Sequence, residues 1–164
     1  DMIWNSLLFI FPTLILVAAL CCYKKENKVM NSFYARMSFH DVARRFYVLV
    51  VMQVLIFFLF IQSRCMVFPA DTFIPVCTTA LLMRFSMAEK IFYKLKKCKV
   101  MIVACLLTLA LLFIPHCFSM AVTFGIYIVA SIFYPSSKVR NLVNNPDTIM
   151  SLCNYPKQLI AYYY

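Results

Sequence analysis

The stretch Arg84–Lys99 reads RFSMAEKIFYKLKKCK and holds six of the chain's sixteen Lys and Arg residues, with apolar sequence on both sides. Phe85, Ala88, Ile91, Phe92 and Leu95 recur at helical spacing, while Glu89, Lys90, Lys94, Lys96 and Lys97 fall mostly on the opposite side. A basic amphipathic helix between two hydrophobic runs predicts an interfacial elbow on the anionic face of a membrane. The apolar runs on either side of it are therefore read as membrane spans.

The composition agrees with that reading. Of 164 residues, 64% are hydrophobic and 13% charged, against about 45–50% and 25% in soluble domains. The net charge of +10 is juxtamembrane in pattern, because the basic residues lie between apolar spans and form no groove-facing module. Nucleic acid is excluded as a partner on that ground. A single glycine leaves no material for a phosphate-cradling loop or a GxxxG pairing motif.

Upstream, residues 2–22 carry no charge, and at 1.5 Å per residue they are long enough to cross a hydrocarbon core of about 30 Å. Asp1 before this run and Lys24 and Lys25 after it oppose the signal-peptide pattern and predict an anchor with its N-terminus outside. The chain opens on Asp1 rather than Met, which leaves open whether sequence precedes it. Segment 27–45 reads as interfacial, with Met30, Phe33, Tyr34 and Met37 hinting at a short surface helix. Ser38 and Asp41 match a capping box and predict a helix start near Ser38, entering the membrane at about Phe46.

The second span is 46–63, with Gln53 the strongly polar side chain nearest its middle. The third, 65–83, contains Pro69, Asp71 and Pro75; an Asp at the centre of a span costs about 2.5–3.5 kcal/mol, and Asp71 lies near one end, where the penalty falls. Thr78 and Thr79 are expected to bond back to their own helix. The fourth and fifth spans, 100–115 and 117–134, form a hairpin about Pro115 and His116, and segment 141–164 returns to the interface. If 65–83 crosses, fifteen of the sixteen basic residues share one side and only Arg64 lies opposite. The positive-inside rule then favours five spans, N-terminus outside and C-terminus inside.

The expected fold is thus a single all-α, multi-pass integral membrane domain; which membrane is left open. Lys94, Lys96, Lys97 and Lys99 are candidates for anionic lipid headgroups. Gln53, Arg64, Asp71 and His116 are the polar candidates at the outer face or within the bilayer. No catalytic, cofactor or metal motif stands out: the two histidines, His40 and His116, fall on opposite faces, and no CxxC occurs. The basic linker, short hairpin and SSKVRNL exit at 136–142 loosely resemble hairpin membrane proteins of the reticulon and prenylated-Rab-acceptor type. The likeness spans about a third of the chain, lacks a diagnostic motif, and has no counterpart for the first span.

The function expected is non-enzymatic: an accessory, assembly or protective subunit that contacts lipids, other membrane proteins or further copies of itself. One alternative is a small carrier or channel protomer with a polar path near Gln53 and Asp71. A second is a lipid-modifying enzyme, for which Asp71 and His116 are the only acid–base candidates.

Overall fold

A computed structural model describes residues 2–65 and 69–164, and all regular structure among them is helical. Among the described residues ten helices follow in order: α1 Met2–Cys22, α2 Lys28–Phe39, α3 Asp41–Arg64, α4 Pro69–Leu81, α5 Phe85–Leu95, α6 Cys98–Phe113, α7 Phe118–Ile132, α8 Ser137–Val143, α9 Pro146–Asn154 and α10 Pro156–Tyr163. Among the described residues, three stretches are long and apolar enough to cross a membrane: Met2–Cys22, Asp41–Arg64 and Phe118–Val143. Cys98–Phe113 is apolar but shorter.

The centre of the bundle is α7, which packs against α1, α3, α4, α5 and α6. Its Thr123, Ile126, Tyr127, Ala130 and Ser131 are buried, whereas α1 and α6 bury no residue at all. Ring contacts give the direction of packing. Trp4 meets Phe60 and Phe11 meets Phe57, so α1 and α3 run antiparallel, while Phe9 meets Phe118 at the start of α7. The α3 seam onto the core runs Val48, Val51, Leu55, Phe58 and Ile61, a repeat of three and four residues that keeps one side of the helix inward.

Several boundaries differ from the sequence reading. Ser38 does not start a helix; it lies in the last turn of α2, where its hydroxyl donates to the Tyr34 carbonyl four residues back at 2.7 Å. Asp41 pairs with Arg44 rather than with a free amide, and α3 begins at Asp41 behind His40, which makes no side-chain cap. The capping-box pattern fails because the preceding helix already supplies the Ser38 hydroxyl with an acceptor. Helix α6 starts at Cys98, two residues before the apolar run, and at 16 residues is about 24 Å long. The third apolar segment is helical over Pro69–Leu81, with Pro69 in the first turn, where its missing N–H costs nothing. Residues 66–68 of that segment lie outside the described residues.

The amphipathic stretch forms α5, and its apolar stripe is covered by protein. Ala88 and Phe92 are fully buried, and the Phe92 ring lies 5.2 Å from Tyr134 and 6.3 Å from Tyr127. A helical stripe of apolar residues reads the same whether lipid or a neighbouring helix covers it, and here neighbouring helices do. The C-terminal segment, read from sequence as interfacial, is largely helical. It folds into α9 and α10, each opened by a proline, and α10 docks on α2 and α8.

Candidate functional site

The sequence candidates separate to two ends of the bundle. At one end α2, α5 and the C-terminal helices converge. At the other lie the α6–α7 connection and the start of α4.

The first end is built on helix termini. The last carbonyls of a helix have no intrahelical donor and need one from elsewhere. At the end of α7, the Ala130 carbonyl accepts from the Tyr47 hydroxyl at 2.7 Å and the Phe133 carbonyl from the Tyr163 hydroxyl at 2.5 Å. Lys96 donates to the carbonyls of Ile132 at 3.3 Å and Tyr134, and also to that of Tyr163 at 2.7 Å, at the end of α10. One ammonium therefore closes two helix C-termini, where the backbone dipole favours a cation. Its nitrogen also faces the rings of Tyr163 and Tyr164 at 5.0 and 5.5 Å. Burial pulls the Lys96 pKa down to about 7, against carbonyls and ring faces that favour the charged form.

Two further contacts lock this end. The hydroxyls of Tyr34 and Tyr164 share a hydrogen bond at 2.7 Å, with the Tyr34 ring 4.8 Å from Tyr163. Glu89 pairs with Arg140 at 2.6 Å and accepts from the Tyr134 hydroxyl at 3.2 Å, tying α5 to α8. Buried Arg44 donates to the last-turn carbonyls of Met37 and Ser38 in α2, at 3.0 and 3.2 Å. Of the three tyrosines that close the segment read as interfacial, Tyr162 is exposed, Tyr164 is half-buried, and Tyr163 is completely buried.

At the opposite end, His116 Nδ1 lies 3.4 Å from Asp71 Oδ2, with the Asp71 side chain 14% exposed and that of His116 64% exposed. His116 has a φ of 65°, a left-handed conformation that His tolerates better than most residues. Arg64 does not join them; its guanidinium lies 5.2 Å from the Phe60 ring centre. Thr78 donates to the carbonyls of Ile74 and Pro75, and Thr79 to that of Pro75, all within α4. The Thr78 carbonyl accepts in turn from the Tyr127 hydroxyl. Cys65 and Cys117, on this side, are both free thiols.

Gln53 is exposed on the surface of α3. The glutamine that is buried is Gln62, fully enclosed, with neither its amide nitrogen nor its oxygen hydrogen-bonded. Of the four lysines proposed for headgroups, Lys94, Lys97 and Lys99 are exposed, whereas Lys96 is occupied by carbonyls. The sequence held a signal for the inward direction of Lys96 and Gln62. Lys96 stands four and eight residues from Phe92 and Ala88, on the apolar stripe, and Gln62 stands four residues from Phe58 on the α3 seam.

Among the described residues no three His, Cys, Asp or Glu side chains form a metal-holding group. The Asp71–His116 contact brings the two acid–base candidates of the sequence together. Comparison with family models, curated proteins and solved structures finds no match, so the loose likeness of the C-terminal hairpin gains no support.

Proposed function

We propose that the chain is a five-span integral membrane protein, N-terminus outside and C-terminus inside, that works as a non-enzymatic accessory, assembly or protective subunit. The observation that carries this reading is the contrast between the inside of the bundle and its flanks. The buried or half-buried ionic side chains at both ends have partners within the chain: Lys96 and Arg44 on carbonyls, Glu89 on Arg140, and Asp71 on His116. The flanks formed by α1 and α6 are apolar and uncovered, with Phe9, Leu14, Leu20, Val103 and Leu106 each more than half exposed. A surface of that kind suits lipid chains or the helices of another membrane protein.

The topology draws on the same contacts. Segments 23–45, 84–99 and the tail from 135 meet through Tyr34–Tyr164, Lys96–Tyr163 and Glu89–Arg140. These segments hold fifteen of the sixteen basic residues, as the positive-inside rule asks of a cytoplasmic-type face. The account places Asp71 and His116 at the other face, where water reaches the half-open pair.

A carrier with a polar path remains the alternative, favoured by the proline-containing α4 and by unpartnered Gln62 beside the core. The deciding experiment is purification from the native membrane in mild detergent, followed by mass spectrometry and reconstitution in liposomes. A partner held at fixed stoichiometry, with no flux through the reconstituted chain, is the expected result. A lone homo-oligomer that moves ions or solute would replace this reading with the carrier.

A further inference from the structure

Between α2 and the first turns of α3 lies an open groove of about 1100 Å³, above the roughly 300–1,000 Å³ usual for small-molecule sites. Its walls are of two kinds. Phe33, Phe46 and Val50 give an apolar floor, and Lys28, Arg36 and His40 stand along the rim. Lys28, Ser32 and Arg36 are spaced four residues apart on α2, so one stripe offers two cations with a hydroxyl between them.

The rim charges are free to meet a ligand. Lys28, Arg36 and His40 are exposed, and among the described residues none of their side chains has an ion pair or hydrogen bond. Of the two acidic side chains near the rim in sequence, Asp41 is paired with Arg44, whose guanidinium points inward to the Met37 and Ser38 carbonyls, and Glu26 is exposed two residues before Lys28, ahead of the first turn of α2. The apolar floor continues along the outer face of α3, where Phe46, Leu49 and Val50 are 67%, 56% and 44% exposed.

We infer that this groove binds one anionic diacyl phospholipid, its phosphate on Lys28, Ser32 and Arg36 and an acyl chain along Phe46 and Val50. The inference rests on the bilayer reading proposed above. The basic stretch at α5 has no such seat, because its apolar stripe is buried against α3 and α7, leaving Lys94, Lys97 and Lys99 as charges without an apolar floor. An acidic peptide would use the rim and leave the floor bare. A phospholipid matches both, and the floor runs in the direction its chains would take.

The test is native mass spectrometry of the full chain in non-ionic detergent, offered dioleoyl phosphatidylglycerol or dioleoyl phosphatidylcholine. One phosphatidylglycerol per chain should be retained in preference to phosphatidylcholine. Lys28→Gln with Arg36→Gln should weaken retention roughly tenfold or more, at about 1 kcal/mol per basic residue near a lipid surface. Lys28→Arg with Arg36→Lys should restore it, which guards against a folding defect. Ala43→Trp, which fills the groove with the charges intact, should also reduce retention, and Lys94→Gln with Lys97→Gln and Lys99→Gln should not. Equal retention of the two lipids would overturn the inference, as would displacement by inorganic phosphate, or insensitivity to the groove variants. A chain that stays in membranes through an alkaline wash yet retains no phosphatidylglycerol would sink the groove and leave the bilayer reading standing.

Discussion

The ammonium of Lys96 donates to the carbonyl of Tyr163 at 2.7 Å, across 67 residues of chain, while holding the carbonyls at the end of α7. The last turn of the protein is thereby attached to its central helix by one side chain. Replacing Lys96 with Met keeps much of the apolar stem but leaves the three carbonyls without that donor. Each orphaned acceptor costs about 1–3 kcal/mol when buried. Lys96→Met is expected to lose about 3 kcal/mol of stability or more and to release α10, seen as faster amide exchange over 156–164. Unchanged exchange there would show that the tail is held by its aromatic contacts alone.

The same residue sets a pH dependence. Its folded pKa is pulled down to about 7 by burial, below the ordinary lysine value of 10.5. Between those values the unfolded chain binds a proton that the folded chain has released, so stability rises with pH through the window. Below about pH 7 both states are protonated and the penalty is fully present. Denaturation in detergent between pH 7 and 9.5 should show this upward slope in the wild type and lose it in Lys96→Met. The upper limit avoids the opposing effect of Tyr163 and Tyr164, whose raised pKa values favour unfolding at alkaline pH.

Gln62 is buried with two unsatisfied polar atoms, and Gln53 is exposed on the same helix. Leucine at position 62 continues the Leu55 and Phe58 seam and removes the burial of unpaired amide groups. Gln62→Leu is expected to stabilise the fold by about 1–3 kcal/mol in a denaturant titration, with Gln53→Leu near neutral. Destabilisation by Gln62→Leu would mean that the amide serves a partner or a permeating species.

The Asp71–His116 pair divides the functional readings. With His116 well exposed, breaking the contact should cost about 1 kcal/mol or less. Asp71→Asn is therefore expected to leave abundance and assembly intact. Fully expressed Asp71→Asn protein that had lost an ion or solute flux present in the wild type would make the carboxylate a coupling group and favour the carrier.

The rods of this fold were readable because length and apolarity suffice for them: α1 matches residues 2–22 in full, and α5 and α7 fall within a few residues of their expected bounds. The direction in which polar residues turn was less readable. Lys96 looks like another member of a basic run, and only its place one turn beyond Phe92 marks it as inward-facing. Tyr163 looks like part of an interfacial tyrosine run, and its burial depends on α2 and α7, more than 100 and about 30 residues away. Asp71 and His116 were grouped by sequence as polar candidates at the outer face or within the bilayer; their contact at 3.4 Å depends on how α4 packs beside α7. The α2–α3 groove had no sequence signal, because it is made by the angle between two helices.

The most direct test of the account is the sidedness of its basic segments. In a cysteine-free variant, single cysteines are introduced as Asn27→Cys, Ser86→Cys, Ser137→Cys and Pro115→Cys, all at exposed positions. A membrane-impermeant maleimide should label positions 27, 86 and 137 from the cytoplasmic-type face only, and position 115 from the other face only. Labelling of 27 and 86 from opposite faces, or of 115 together with them, would contradict the five-span arrangement.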